Sequence, residues 1–475
     1  MVFSSITFIF YFLPLFFLVY YLSDSRYKNA VILLGSIFFY AWGAPLFIFV
    51  ILATTFLDYQ LVGLMHRSHH RSSRTILFIA SLALNLGLLF YFKYSNFFIH
   101  NLNKVFSGIG IESVTWAEVV LPIGISFYTF ESITYVTDVY RRIHKPLTSF
   151  AHYQLYIILF PKLIAGPIIR YHDFAPQLTD HITHETVDNK LLGLQRFFWG
   201  LGKKVLIANV LGNAADQIFD LPLVELSTTY AWLGAVSYTF QIYFDFSGYS
   251  DMAIGLGLMM GFRFPENFNN PYTALSIADF WRRWHITLGA WMRQYLYIPL
   301  GGNRVDNAWR LYFNLWLVFL ASGLWHGAAW GFIIWGAYHG FFLVVERLFL
   351  GRWLQRAGKA AVLYTFTVVV VGWVFFRLEY LHLSLQYLHH MFSWQPFSTL
   401  RWQPDPQFWT ILILATLFSF IVLFRPGHRL HNIVYTTSRS VAMHVCMTMV
   451  AMLLCILSVA SITNSSFNPF IYFRF

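Results

Sequence analysis

Apolar residues run along this chain in long, nearly unbroken stretches separated by short basic segments. The stretches cover 1–22, 30–64, 76–92, 118–137, 150–169, 197–218, 229–259, 311–350, 361–378, 408–424 and 441–462. A helix needs about 20 apolar residues to cross a bilayer, so most of these predict one crossing each. Stretch 30–64 is too long for one and is interrupted at Gly43-Ala44-Pro45, which predicts two. Stretch 311–350 carries Gly323, Gly327 and Gly331 at its middle and predicts two crossings meeting near the outer side. Stretch 150–169 holds Pro161, Lys162 and Gly166-Pro167. A Gly-Pro pair and a charge at membrane depth predict a re-entrant segment shielded by protein.

Segments 66–74, 138–146, 263–310, 351–359 and 425–439 are basic and are expected in the cytoplasm. The first stretch has neither a basic leader nor a small-residue cleavage site, so it reads as an uncleaved span. Arg26 and Lys28 follow it directly and place the N-terminus outside. The pattern closes at about twelve crossings with both termini outside, in an all-α polytopic bundle forming one domain over 1–475.

Composition supports this class. Charged residues are 11% of the 475 positions, against about 25% in soluble domains. A soluble enzyme and a disordered chain are both excluded. The chain holds 51 Phe, 28 Tyr and 17 Trp, and Tyr and Trp favour membrane interfaces. The net charge of +11 fits cytoplasmic loops beside anionic lipid headgroups, not a nucleic acid. Cys446 and Cys455 share one apolar stretch, so neither a disulfide framework nor a metal site is indicated.

Against this background each intramembrane polar group is a functional candidate. The run Tyr243–Met252 places Asp245 and Asp251 in or near a span, either as helix-packing acids or as functional groups. A polar Asn/Pro turn follows at 264–272. Between Ile277 and Arg293, Trp281, Trp284, Leu288 and Trp291 recur at helical spacing, and Asp279 can pair with Arg282 or Arg283. This predicts an amphipathic helix in the inner interface. Its basic face suits either a nucleotide phosphate or lipid headgroups. The sharpest feature is Ser322-Gly-Leu-Trp-His-Gly-Ala-Ala-Trp-Gly331, with His326 alone in a long apolar run. A neutral imidazole there suits a general base or a core histidine bonded to a carbonyl. His69-His70 and His389-His390 read as solvated loop residues. Zinc-protease, phosphate-loop and serine-hydrolase motifs do not occur.

Taken in order, these motifs resemble the membrane-bound O-acyltransferase superfamily, and within it the bacterial alginate O-acetyltransferase branch related to peptidoglycan and cellulose O-acetylation proteins. The resemblance is nearly full length. It rests on Leu121–Phe130 (Leu-Pro-Ile-Gly-Ile-Ser-Phe-Tyr-Thr-Phe), Phe160–Tyr171 (Phe-Pro-Lys-Leu-Ile-Ala-Gly-Pro-Ile-Ile-Arg-Tyr), Tyr243–Met252, Asp279–His285, Pro299–Arg304 and Trp325-His326-Gly327. It implies a ring of tilted helices around a transmembrane tunnel. His326 would match the family's principal catalytic histidine and His285 its second, supporting one. The chain's end, Asn468-Pro-Phe-Ile-Tyr-Phe-Arg-Phe475, is similar to the C-terminal motif of a small partner protein in teichoic acid D-alanylation. That similarity implies an acyl relay at Tyr472, against the plainer reading of an aromatic interface anchor.

The activity implied is an O-acetyltransferase of the bacterial inner membrane that carries no bound cofactor. Acetyl-CoA would be the cytoplasmic donor, with its phosphates on Arg282 and Arg283. His285 would orient the thioester or stabilise an oxyanion. A periplasmic O-acetyltransferase partner would place the acetyl group on a polysaccharide, with alginate first and peptidoglycan or cellulose next. Two other classes remain compatible with the pattern: a transporter or flippase without acyl chemistry, and a scaffold for polysaccharide export.

Overall fold

The computed structural model describes residues 1–394, 403–435, 440–464, 467 and 470. All regular structure among them is helical. The chain divides into two compact units, one of residues 1–189 and 260–264, the other of 190–259 and 265–475.

The first unit contains α1 (Leu13–Leu22), α2 (Lys28–Gly43), α3 (Phe47–Arg67), α4 (Arg71–Leu89), α5 (Ser95–Gly108), α6 (Ile125–Tyr140), α7 (Phe150–Ile158) and α8 (Phe160–Leu163). The predicted break at Gly43-Ala44-Pro45 lies between α2 and α3, with Ala44 capping α2 in a non-helical conformation. Stretch 150–169 is broken as its prolines and glycine require, into α7, the single turn of α8 and an irregular segment. Every residue from Tyr153 to Ile169 is buried, as irregular backbone at membrane depth demands. Phe160 anchors it, its ring 5.1–5.5 Å from those of Phe12, Phe16 and Phe39. Lys162 is fully buried and paired with Glu131, itself 2% exposed, while its ammonium lies 4.7 Å from the Tyr156 ring centroid.

The second unit begins along α9 (Val187–Gly202), whose first residues belong to the first unit, and continues through a widened turn into α10 (Asn209–Phe219). Then come α11 (Thr228–Met259), α12 (Ile277–Arg283), α13 (Ile286–Trp291), α14 (Ala308–His326), α15 (Trp330–Val345), α16 (Ala361–Arg377), α17 (Leu381–Phe392), α18 (Pro406–Phe420), α19 (Arg425–Tyr435) and α20 (Val441–Asn464). Small residues bring its helices close, as in other membrane bundles. A Cβ on Gly200 would lie 2.4 Å from the Gly248 carbonyl oxygen, and one on Gly323 2.3 Å from that of Phe332. The second contact clamps α14 against α15, the hairpin expected from stretch 311–350.

Five helical segments among the described residues are long and apolar enough to cross a membrane on length and composition. The other expected crossings fall on shorter or interrupted helices. One expectation is corrected: the segment from Ile277 to Arg293 is not one amphipathic helix. α12 ends at Arg283, His285 takes a left-handed backbone with φ of 46°, and α13 begins at Ile286. The tryptophan spacing satisfies a helical period, but pairing with an earlier segment breaks the helix.

Candidate functional site

That earlier segment is the polar turn at 264–272. Phe268 and Trp284 form an antiparallel bridge. The Asn269 N–H donates to the Arg283 carbonyl at 2.9 Å, and the Ile286 N–H to the Asn267 carbonyl at 3.0 Å. These bonds hold His285 in its left-handed conformation, which costs a non-glycine residue about 1–3 kcal/mol. Such strain persists only where the surroundings impose it, and here it aims one imidazole.

His285 is 1% exposed. Its Nδ1 lies 3.1 Å from Oδ1 of Asn267, which also accepts the Thr287 hydroxyl at 2.9 Å and the Thr287 N–H at 3.4 Å. The Thr287 N–H identifies that end of the amide as oxygen, so Nδ1 of His285 is the protonated nitrogen. Nε2 then carries the lone pair, and it is buried without a hydrogen-bond partner among the described residues. The residue lies between apolar stretches 229–259 and 311–350, and burial pushes its imidazole down to about 3. It is neutral at physiological pH.

His326 is the last residue of α14 and 4% exposed. Rings surround it: Trp325 at 4.9 Å, Trp335 at 5.2 Å and Phe376 at 5.2 Å, all edge-to-face. Trp325 also meets His285, with ring centroids 6.0 Å apart, so one indole lies against both histidines. Gly327 permits this arrangement, because a Cβ there would fall 2.1 Å from the Phe332 ring. The structure thus brings together the two histidines that the sequence singled out 41 positions apart.

Arg282 and Arg283 share Asp279, at 3.2 and 3.0 Å. The Arg282 side chain is 70% exposed and that of Arg283 33%. Neither lines the cavity of about 370 Å³ beside Asn267, whose walls include Lys203, Ser250, Asp251, Glu266, His431 and Tyr435. Its charges are largely balanced. Asp251 bonds Arg196 at 2.9 Å and Lys203 at 2.6 Å, and Arg196 also reaches Glu266 at 2.7 Å. Asp245 pairs with Lys204 at 2.8 Å, both nearly fully buried. Both aspartates are therefore neutralised helix-packing acids. Tyr472 lies outside the described residues. Phe470, two positions before it, is 3% exposed and stacks on Tyr249 at 4.7 Å. His69 and His70 are exposed. His390 is not a solvated loop residue: it sits on α17 and bonds the Leu226 carbonyl at 2.8 Å.

Sequence reasoning missed Asn267, whose only signal was its place in the polar turn. It also missed His339, fully buried, with its ring 5.2 Å from Trp335 and 5.0 Å from Trp281. A histidine inside the apolar run of α15 was the available signal.

The profile of MBOAT, the membrane-bound O-acyltransferase family, matches residues 141–385. The chain is 43% identical to the "Probable alginate O-acetylase AlgI" of Pseudomonas putida over the whole of both chains. It is 39% identical to the "Peptidoglycan O-acetyltransferase" of Helicobacter pylori, over 82% of this chain and 80% of that protein. It is also 30% identical to the "Teichoic acid D-alanyltransferase" of Bacillus subtilis, over 49% of this chain and 60% of that protein.

Proposed function

We propose that this chain, which belongs to the membrane-bound O-acyltransferase family and is a multi-pass membrane acyltransferase, takes acetyl from a cytoplasmic thioester and delivers it for O-acetylation of an extracytoplasmic polysaccharide. Acetyl-CoA is the donor we assign. The polymer is alginate in the first place and peptidoglycan next, following the names of relatives similar over most of their length. The membrane is the bacterial inner membrane, with both chain ends on the periplasmic side.

The observation that carries this reading is the buried pair of histidines that both lie against Trp325. In our reading His326 takes the proton of an acceptor hydroxyl as its oxygen attacks the thioester carbonyl. The C–S bond breaks, and the proton returns to the departing thiolate. His285 is a positioning group. Its lone pair at Nε2 suits orientation of the donor through an N–H of its arm. It does not suit oxyanion stabilisation, which needs a donated proton. The cavity beside Asn267 supplies room for that arm; Arg282 and Arg283, which do not line it, remain the phosphate contacts we assign, Arg282 being largely exposed.

Tyr472 is the acyl relay in this scheme, before transfer to a periplasmic O-acetyltransferase partner. The burial of Phe470, two positions before it in the sequence, against Tyr249 supports it. The experiment is CoA release by the purified protein in detergent. His326→Ala is expected to abolish it, and undiminished turnover would overturn the assignment. The relay is tested separately by mapping the trapped acyl group by mass spectrometry. Polymer acetylation that survives Tyr472→Phe removes the tyrosine from the pathway and leaves His326 untouched.

A further inference from the structure

Attack on a thioester carbonyl pushes negative charge onto its oxygen, and a fixed N–H or O–H aimed at that oxygen stabilises it. His285 presents a lone pair at Nε2 and cannot serve. The backbone on either side of the turn after His326 is already engaged. The Gly327 N–H donates to the Gly323 carbonyl at 3.3 Å, and the Gly331 N–H donates to the Glu379 carbonyl at 3.0 Å.

A buried donor stands beside His326 and is unused. Trp335 lies on α15 and is 0% exposed. Its indole nitrogen has no hydrogen-bond partner among the described residues. An indole N–H donates and never accepts, and a buried donor left unmade is costly, so a site that keeps one has a use for it. The Trp335 ring meets that of His326 with centroids 5.2 Å apart and planes at 88°. Trp373 stacks on it at 5.8 Å and 19°, and Phe376 packs at 5.1 Å. His339 stands at 5.2 Å, yet neither of its nitrogens bonds the indole. These rings hold the indole in place and leave its N–H unpaired. Trp281 also has a buried, unpartnered N–H, but its ring meets Trp335 and His339 and not His326.

We propose that the Trp335 indole N–H is the oxyanion donor of the acyl transfer, a catalytic group beside His326. The proposal rests on the acetyltransferase reading and adds the charge-stabilising contact that His285 cannot make. A hydroxyl bonded to His326 keeps its oxygen within about 3 Å of the imidazole, and the carbonyl carbon approaches that oxygen to about 3–3.5 Å. An indole centred 5.2 Å from the imidazole borders that space. The acceptor oxygen bonds the carbonyl carbon as His326 takes its proton. The carbonyl π pair moves onto the oxygen, and Trp335 donates a hydrogen bond to it. The C=O bond then re-forms, the C–S bond breaks, and the proton passes from His326 to the thiolate. The indole keeps its own proton throughout. A neutral donor fixed among rings needs no reorganisation as the charge develops.

The test is CoA release by the full chain in detergent, from acetyl-CoA and from its dithioester analogue, in which sulfur replaces the carbonyl oxygen. Trp335→Phe should lower kcat for acetyl-CoA by about 100-fold or more, the scale of one oxyanion donor. KM should stay within about three-fold, because the contact exists only in the transition state. Benzothienylalanine at position 335 keeps the size of the indole and replaces N–H by sulfur. It should reproduce the loss, and it carries the test should Trp335→Phe not fold. Sulfur is a weak acceptor, so with the dithioester both variants should match the parent within a few-fold. Trp232→Phe should keep the parent kcat, since that indole donates to the Met391 carbonyl at 2.7 Å. An undiminished kcat in the variants would overturn the proposal. An equal loss with both donors would overturn it too and leave Trp335 a packing residue. A parent that releases no CoA would refute the transferase reading and the donor with it, whereas a parent that turns over beside equally active variants refutes the donor alone.

Discussion

Replacing Asn267 by Asp changes one acceptor into a carboxylate at nearly constant shape, directly against the imidazole of His285. The separation of 3.1 Å between Nδ1 and Oδ1 puts the new charge about 4 Å from the ring's positive charge once protonated. At an effective dielectric of about 20 that attraction is worth about 4 kcal/mol. At about 1.4 kcal/mol per pKa unit, it carries His285 from about 3 to about 6. Protonation then converts Nε2 from acceptor to donor and ends its orienting role. Initial rates of CoA release between pH 4.5 and 8.5 should therefore show an acid limb near pH 6 in Asn267→Asp that is added to the parent's profile. Near pH 8 the two should agree within a few-fold. Asn267→Ala should behave differently: a roughly 100-fold lower rate at every pH, as misplacement by about 1 Å produces, and no new limb. Superimposable profiles for the parent and a folded Asn267→Asp protein would refute the reasoning, because the Asn267 contact would then not govern the imidazole.

The same shift makes a stability prediction. The folded value of His285 lies below the unfolded value of about 6.5, so the unfolded chain binds the proton first. The contribution is whole above pH 6.5 and falls by about 1.4 kcal/mol per pH unit as the pH drops toward 3; urea titrations at pH 7.5 and 5.5 should show it, and His285→Asn should lose it. Gly323→Ala should cost at least about 1–3 kcal/mol, read as a lower thermal midpoint, since its Cβ meets the backbone oxygen of Phe332. Lys162→Met should destabilise the protein by about 3–5 kcal/mol by stranding a buried carboxylate, and adding Glu131→Leu should recover much of it in the same assay. Phe470→Ala should lower polymer acetylation while leaving donor hydrolysis unaffected, measured by acetyl release from polymer and by free thiol.

What could be read from the sequence was local. The break at Gly43-Ala44-Pro45, the pairing of Asp279 with its two arginines and the isolation of His326 between glycines all depend on neighbours within a few positions. What could not be read was set by distant partners. The kink at His285 is imposed by residues 267–269, while the tryptophan spacing around it fits an unbroken helix. The mate of Lys162 lies 31 positions away at Glu131, and nothing in either segment announces the other. The acids on α11 looked available for chemistry until Arg196, Lys203 and Lys204 were seen to neutralise them.

The left-handed backbone at His285 has a consequence for anyone who engineers this protein. Glycine and asparagine adopt that conformation at little cost, whereas histidine does so under strain and with a buried nitrogen lacking a partner. Because His285 is 1% exposed, glycine would trade that strain for a cavity costing about 2–5 kcal/mol, so His285→Asn, nearer in size, is the substitution that heat-selection from a random library should enrich. With His285 orienting the donor as we propose, position 285 is where selection for durability and selection for turnover pull apart, and a thermostability screen on this protein needs an activity gate at that codon.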